Sequence, residues 1–252
     1  MTHLKEFLIN EVKIMSISGM FSDALAYPFN NIKALLLYVV LGIIVALIGG
    51  ATIVDFAFAF ATKGVGGAAL AGLGIVGVIV FVLVVFLVEG YALDIIKYGI
   101  ERRSDGPGID FGRQVSNAIK LIVVSIVYYV IPAIITLILS LFLRDWLIAV
   151  IGMILFIVFA LANFMAKCRL AKTDDLGAAL AIGEAIGDIS RVGIGNLLIT
   201  VIIVFVILMI IAFIVAIFMG LNKYLGGIIL GFAGVYFVFF YNRVIGLLYS
   251  TA

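Results

Sequence analysis

Six long apolar runs set the pattern of the chain, at 34–54, 70–92, 118–142, 146–166, 196–219 and 225–248. Each approaches the roughly 20 residues that cross an approximately 30 Å hydrocarbon core as a helix. Backbone polar groups must be paired inside lipid, so helices or a closed barrel are the available forms. Barrel strands alternate apolar and polar positions, and these runs do not. The expectation is an all-α polytopic membrane bundle of about six transmembrane helices in three hairpins. Only Leu143, Arg144 and Asp145 separate the third and fourth runs. That pair of charges is costly at mid-bilayer and suits a tight hairpin.

The polar segments between runs are themselves patterned. Residues 2–15 set Leu4, Leu8, Val12 and Met15 near one helical face. Residues 173–190 open on Thr173-Asp174-Asp175, a helix cap, and then space Leu176, Leu180, Ile186 and Ile189 among Glu184 and Asp188. Residues 91–102 place Asp94, Lys97 and Glu101 on one stripe, with Ile95, Ile96 and Ile100 mostly off it. All three read as amphipathic helices lying on the membrane surface. The second run, ending near Glu89, is therefore expected to continue or bend into a surface helix. Gly106-Pro107-Gly108 then turns the chain, and Asp110 caps the helix into the third run. The lead-ins FNNIKALLLYV (29–39) and SNAIKLIVVSI (116–126) resemble one another. The whole is read as one helical domain, with an internal repeat of three units at 1–100, 101–172 and 173–252. Pro28 and Pro132 are expected to shape a helix start and a kink.

Composition agrees with this pattern. Of 252 residues, 66% are hydrophobic and 12% charged, with a mean hydropathy of +1.38. Soluble domains carry about 25% charged residues, so lipid must be the solvent for much of this chain. No cleavable leader is expected, because charged residues from Lys5 to Lys33 precede a first run long enough to span and stay. Charge placement sets the sidedness. Lys5, Lys13, Lys33, Lys97, Arg102, Arg103, Arg113, Lys120, Lys167, Arg169, Lys172, Arg191 and Arg243 fall on one side of a six-span fold. Lys63, Arg144 and Lys223 fall on the other. The positive-inside rule then puts both termini in the cytoplasm of a multi-pass cell-membrane protein.

Candidate chemistry is sparse. Glu89 ends a span, and an ionisable group at that depth either faces a cavity or sits wet and paired near the headgroups. Asn163, Tyr241, Asn242 and Arg243 stand at a similar level and could line an inner vestibule with Glu89. The plainer reading is hydrogen bonding between helices. Gly42, Ala46 and Gly50, and Gly227 and Gly231, recur at helix-packing spacing, within the chain or across a homo-oligomer. Lys97, Arg102, Arg103, Arg113, Lys167 and Arg169 are expected to meet anionic lipid headgroups. Cys168 reads as an ordinary interfacial thiol beside Lys167 and Arg169. The single His and single Cys offer no metal site and no catalytic dyad. The run GVGGAALAGLG (64–74) lacks the preceding strand and the Lys-Ser/Thr of a phosphate-binding loop. No enzyme activity, cofactor or nucleic-acid partner is expected. Two functional readings remain. One is a non-catalytic scaffold or assembly partner in the membrane. The other is a small-molecule or lipid-handling carrier with a vestibule near Glu89.

The run E-G-Y-x-x-x-I-I-K (89–97), the turn at Pro107, the pair Asp110-Phe111 and the lead-in LAYPFNNIKALLL (25–37) carry a resemblance. Together they resemble an uncharacterised family of archaeal polytopic membrane proteins, the domain-of-unknown-function family four-zero-one-three. That family favours a Leu-Pro step and a Trp where this chain has Gly-Pro-Gly and Phe111-Gly112. The resemblance implies an integral membrane protein of unknown function and supplies no catalytic residues.

Overall fold

A computed structural model describes residues 16–61 and 65–251, with side chains described within 16–47 and 77–251. Among them every regular element is a helix. These are α1 Ile17–Asn30, α2 Ile32–Ala61, α3 Val65–Ile100, α4 Phe111–Leu139, α5 Asp145–Thr173, α6 Leu176–Leu180, α7 Ile182–Val192, α8 Ile194–Leu221 and α9 Lys223–Tyr249. Five stretches are long and apolar enough to cross a membrane: Gly77–Ile100 within α3, and α4, α5, α8 and α9. Helix α1 and residues Ile32–Leu47 of α2 form a pair bent by 78°, which counts as a sixth if taken as one span. Among the described residues the fold is thus an all-helical bundle with five to six helices long and apolar enough to span a membrane. The surface helix expected at 2–15 lies outside the described residues.

The caps explain several boundaries. Ser16 accepts from Gly19 N at 3.1 Å and starts α1. Pro28 stands in the last turn of α1 rather than at a helix start. Beyond it the chain breaks at Asn31, whose amide group donates back to the Tyr27 carbonyl at 2.9 Å. Asp110 caps α4 as expected, accepting from Arg113 N at 3.0 Å. Pro132 lies inside α4, and the Thr136 hydroxyl donates to its carbonyl at 2.7 Å. Asn222 caps α9 through Tyr224 N and Leu225 N.

Two expectations are corrected. Residues 91–102 do not form a surface helix, because α3 runs unbroken from Val65 to Ile100. Tyr91, Ala92, Leu93, Asp94, Ile95 and Ile96 are all buried beneath neighbouring helices. The cause is glycine. A Cβ on Gly90 would collide with the Gln114 carbonyl, and one on Gly99 would lie 2.9 Å from Gly246 Cα. Backbones close in at both points, and Asp94 of the charged stripe is covered while Lys97 and Glu101 stay exposed. Residues 173–190 likewise form two short helices, broken at Ala181, rather than one. The cap there is Asp175, which accepts from Gly177 N and Ala178 N. Asp174 instead takes a left-handed conformation at φ 56° and pairs with Lys120 at 2.6 Å.

The core has two parts. One gathers α1 and α4 to α9 around Met165, Cys168, Phe240 and Val244, with the buried end of α3. The other stacks Tyr38, Tyr91 and Phe239 with centroids 4.8–5.9 Å apart, between α2, α3 and α9. Helix α9 is the hub, packing against α1, α2, α3, α5 and α8. Helix α8 is peripheral, packing on α9 and α7 and burying only Leu197, Thr200, Val204 and Val215.

Candidate functional site

The four residues expected to form one inner vestibule do not line one cavity together: Glu89 borders two, Tyr241 borders another, and Asn163 and Asn242 border none of these. Asn163 is buried in α5, with its Oδ1 unpartnered. Asn242 is buried in α9 and donates to the Val238 carbonyl of its own helix at 2.7 Å. Tyr241 packs its ring 5.7 Å from Phe164 and 5.8 Å from Phe237, within electrostatic reach of Glu89. Glu89 is exposed on the flank of α3. One turn of helix separates contacts by about 100° per residue, so neighbours such as Tyr241 and Asn242 cannot share a face.

Arg243, expected at the same level, is not a vestibule group either. Its side chain is 2% exposed and grips Asp23, Nε to Oδ1 at 2.7 Å and Nη2 to Oδ2 at 3.3 Å. Its Nη1 donates to the carbonyls of Tyr98 and Arg103, and its guanidinium lies 4.6 Å from the Tyr27 ring centroid. One cation thus ties α1, the end of α3 and α9 together. A second knot centres on Asp188, buried at 1% exposure. It accepts from Arg169 at 3.1 Å, Arg191 at 2.7 Å and the Tyr249 hydroxyl at 2.7 Å. A third joins Asp94 to Arg113 and Asn117, each at 3.0–3.1 Å. The Tyr38 hydroxyl donates to Gln114 Oε1 at 2.6 Å nearby. Sequence gives little sign of these partners. Arg243 and Asp23 are 220 positions apart.

The residues expected at lipid headgroups divide. Lys97 is exposed. Arg102 donates to the Ser250 hydroxyl at 3.0 Å. Arg103 pairs with Asp105 and lies 3.9 Å from the Tyr98 ring centroid. The Arg103 hydrogen bond holds the Asp105 carboxyl below its ordinary range. Arg113 is half-exposed but committed to Asp94 and the Gly108 carbonyl. Arg169 is a correction: it is turned inward to Asp188, Glu184 and the Ala178 carbonyl, so it is no surface contact. Cys168 is corrected too, since it is fully buried against Ile245 rather than interfacial.

The small residues pack within the chain. A Cβ on Gly42 would lie 2.8 Å from Val235 Cγ2 and 2.9 Å from the Gly231 carbonyl oxygen. Gly227 opposes Leu47 and the Ala46 carbonyl. Gly50 lies outside the residues whose side-chain surroundings are described.

Glu89 has a different setting. It borders a cavity of about 590 Å³ between α2, α3, α8 and α9, lined by Ala46, Phe81, Met219 and Val238 among others. On its other side it borders one of about 530 Å³ between α3, α4 and α5, which Lys167, Ser125 and Tyr129 also line. Among the described residues Glu89 makes no hydrogen bond or ion pair, and neither does Lys167. A third cavity of about 300 Å³ lies between α5, α8 and α9, beside the buried and unpartnered Thr200 hydroxyl. Among the described residues no group of three His, Cys, Asp or Glu could hold a metal ion.

A bundle of apolar helices with polar knots at one end and flank cavities at Glu89 defines a polytopic membrane protein. A family profile described as protein of unknown function DUF4013 matches residues 73–221, more than half of the chain. The chain belongs to the DUF4013 family. Comparison with curated proteins and with solved structures yields no match.

Proposed function

We propose that this protein is a non-catalytic membrane protein that holds an amphiphile in its flank cavities. The observation that supports this is Glu89, an unpartnered carboxylate set between two largely apolar cavities. Concave apolar sites with a few polar groups are the usual form of a small-molecule site. An ionisable group within a span marks function more often than structure. The bilayer is the surrounding partner, with anionic headgroups near Lys97, Arg102 and Arg103 on the cytoplasmic side. Both termini lie in the cytoplasm, on the argument from Lys and Arg placement. The test is retained lipid. Protein purified in mild detergent is expected to carry about one amphiphile per chain, displaced by added lipid. Protein that retains none and binds none in titration removes this reading.

A second reading is assembly. Helix α8 is held mainly by α9, and the buried Thr200 hydroxyl beside its cavity has no partner among the described residues. A second copy packing along α8 would supply one. Light scattering in detergent decides it: a dimer that Thr200→Leu converts to monomer supports assembly, and a wild-type monomer sinks it.

A further inference from the structure

The cavity between α3, α4 and α5 is lined by two opposite charges that have no hydrogen bond or ion pair among the described residues. Glu89 and Lys167 both line it, on different helices, and Ser125 and Tyr129 add hydroxyl groups. The remaining wall is apolar, including Val85, Phe86, Leu121 and Ile122. Ile122, Ile126, Tyr129 and Val130 are exposed, so the cavity opens on the outer flank of the bundle rather than at its end. Glu89 precedes Ile100, the end of α3, by eleven residues, about 17 Å along the helix axis. Lys167 precedes Thr173, the end of α5, by six residues, about 9 Å.

An unpaired charge inside the apolar zone is expensive unless something meets it. Elsewhere in this molecule the well-buried charges have been met. Asp94, Asp188 and Arg243 each bond to several groups of the chain itself. Glu89, exposed on the flank of α3, and the partly buried Lys167 have no such partner in the chain, and both line the same space. A ligand that satisfies both must present a cation to Glu89 and an anion to Lys167. It must also carry apolar chains to cover the wall, and reach the opening from the side.

We propose that this cavity is a binding site for a zwitterionic amphiphile with a primary ammonium and a phosphate group. The ammonium meets the Glu89 carboxylate, the phosphate meets the Lys167 ammonium, and the chains lie along Ile122, Ile126 and Val130. Hydrogen bonds from Ser125 and Tyr129 suit the phosphate oxygens. This rests on the amphiphile reading above and names the class of amphiphile.

The test is binding by the full chain in a non-ionic detergent, measured by native mass spectrometry. The probes are phosphatidylethanolamine, phosphatidylglycerol and a diacylglycerol of equal chain length. Wild type is expected to bind phosphatidylethanolamine most tightly. Glu89→Gln should erase about tenfold of the preference over phosphatidylglycerol, and Lys167→Met about tenfold of the preference over diacylglycerol. Neither variant should change the melting temperature, because neither side chain has a partner to lose. If both variants keep the wild-type preferences, or wild type favours phosphatidylglycerol, the proposed class is wrong. If single variants melt lower and the double variant recovers, the two side chains pair with each other and the site falls. Binding of all three probes alike overturns the class but keeps the amphiphile reading. Binding of none overturns both.

Discussion

At the scale of single residues, charge is treated in two opposite ways. Arg243 is enclosed and fully bonded, so its loss should be severe. Arg243→Met is expected to cost about 3–5 kcal/mol, because removing one member of a buried pair strands the other. Arg243→Lys should recover only part, since an ammonium cannot fork onto both Asp23 oxygens and still reach two carbonyls. Thermal unfolding in detergent measures both, and a loss below about 1 kcal/mol for the Met variant would mean the knot does not hold the fold. Glu89→Gln should move stability by less than about 0.5 kcal/mol, because nothing in the chain depends on its charge. Cys168 is fully buried, so an impermeant maleimide should label it only after denaturation. Labelling of the native protein would contradict the packing at Ile245.

At the scale of helices, glycine decides which surfaces meet. Gly90→Ala drives a methyl group into the Gln114 backbone, and backbone cannot swing aside as a flexible side chain can. We expect a loss at or above the roughly 1–3 kcal/mol of an overpacked core. Gly234→Ala meets nothing within 4 Å and should be neutral or slightly stabilising. Comparison of the two melting temperatures checks the α3–α4 contact, and equal values would contradict it. Helix existence was readable in the chain, since long apolar runs leave the backbone no other form in lipid. The fate of residues 91–102 was not. Their stripe of Asp94, Lys97 and Glu101 is what a surface helix shows, yet Arg113 and Asn117 come from another helix to cover Asp94. Periodicity reports how charges are spaced along one helix and carries no information on which helix will meet them.

At the scale of the molecule, the hairpins alternate so that the charged segments gather at one end. Arg102 meets Ser250, Lys120 meets Asp174, and Tyr249 meets Asp188. The turn around Arg144 and the cap at Asn222 each join two spans at their other ends. If the positive end is cytoplasmic, cysteines replacing Ser104 and Ser190 in a Cys168→Ser background should label in inside-out vesicles. Those replacing Arg144 and Lys223 should label in intact cells. The reverse pattern would invert the orientation while leaving the fold intact. The candidate vestibule was only partly legible. Glu89 stood out because a carboxylate in an apolar run is conspicuous, and it does border cavities. Asn163 and Asn242 stood at the right height but on other faces of their helices. Lys167 was legible only as a headgroup contact, because the cavity it shares with Glu89 exists only where α3, α4 and α5 meet.

The sequence by itself determined the solvent, the secondary structure and the alternation of spans, because the cost of exposing backbone and charge to hydrocarbon acts on each segment separately. Only the tertiary structure decided which charges are paired. Attraction between Asp23 and Arg243, or its absence at Glu89 and Lys167, depends on a few ångströms of separation, and those distances are set by close backbone contacts at Gly42, Gly90, Gly99, Gly231 and Gly246.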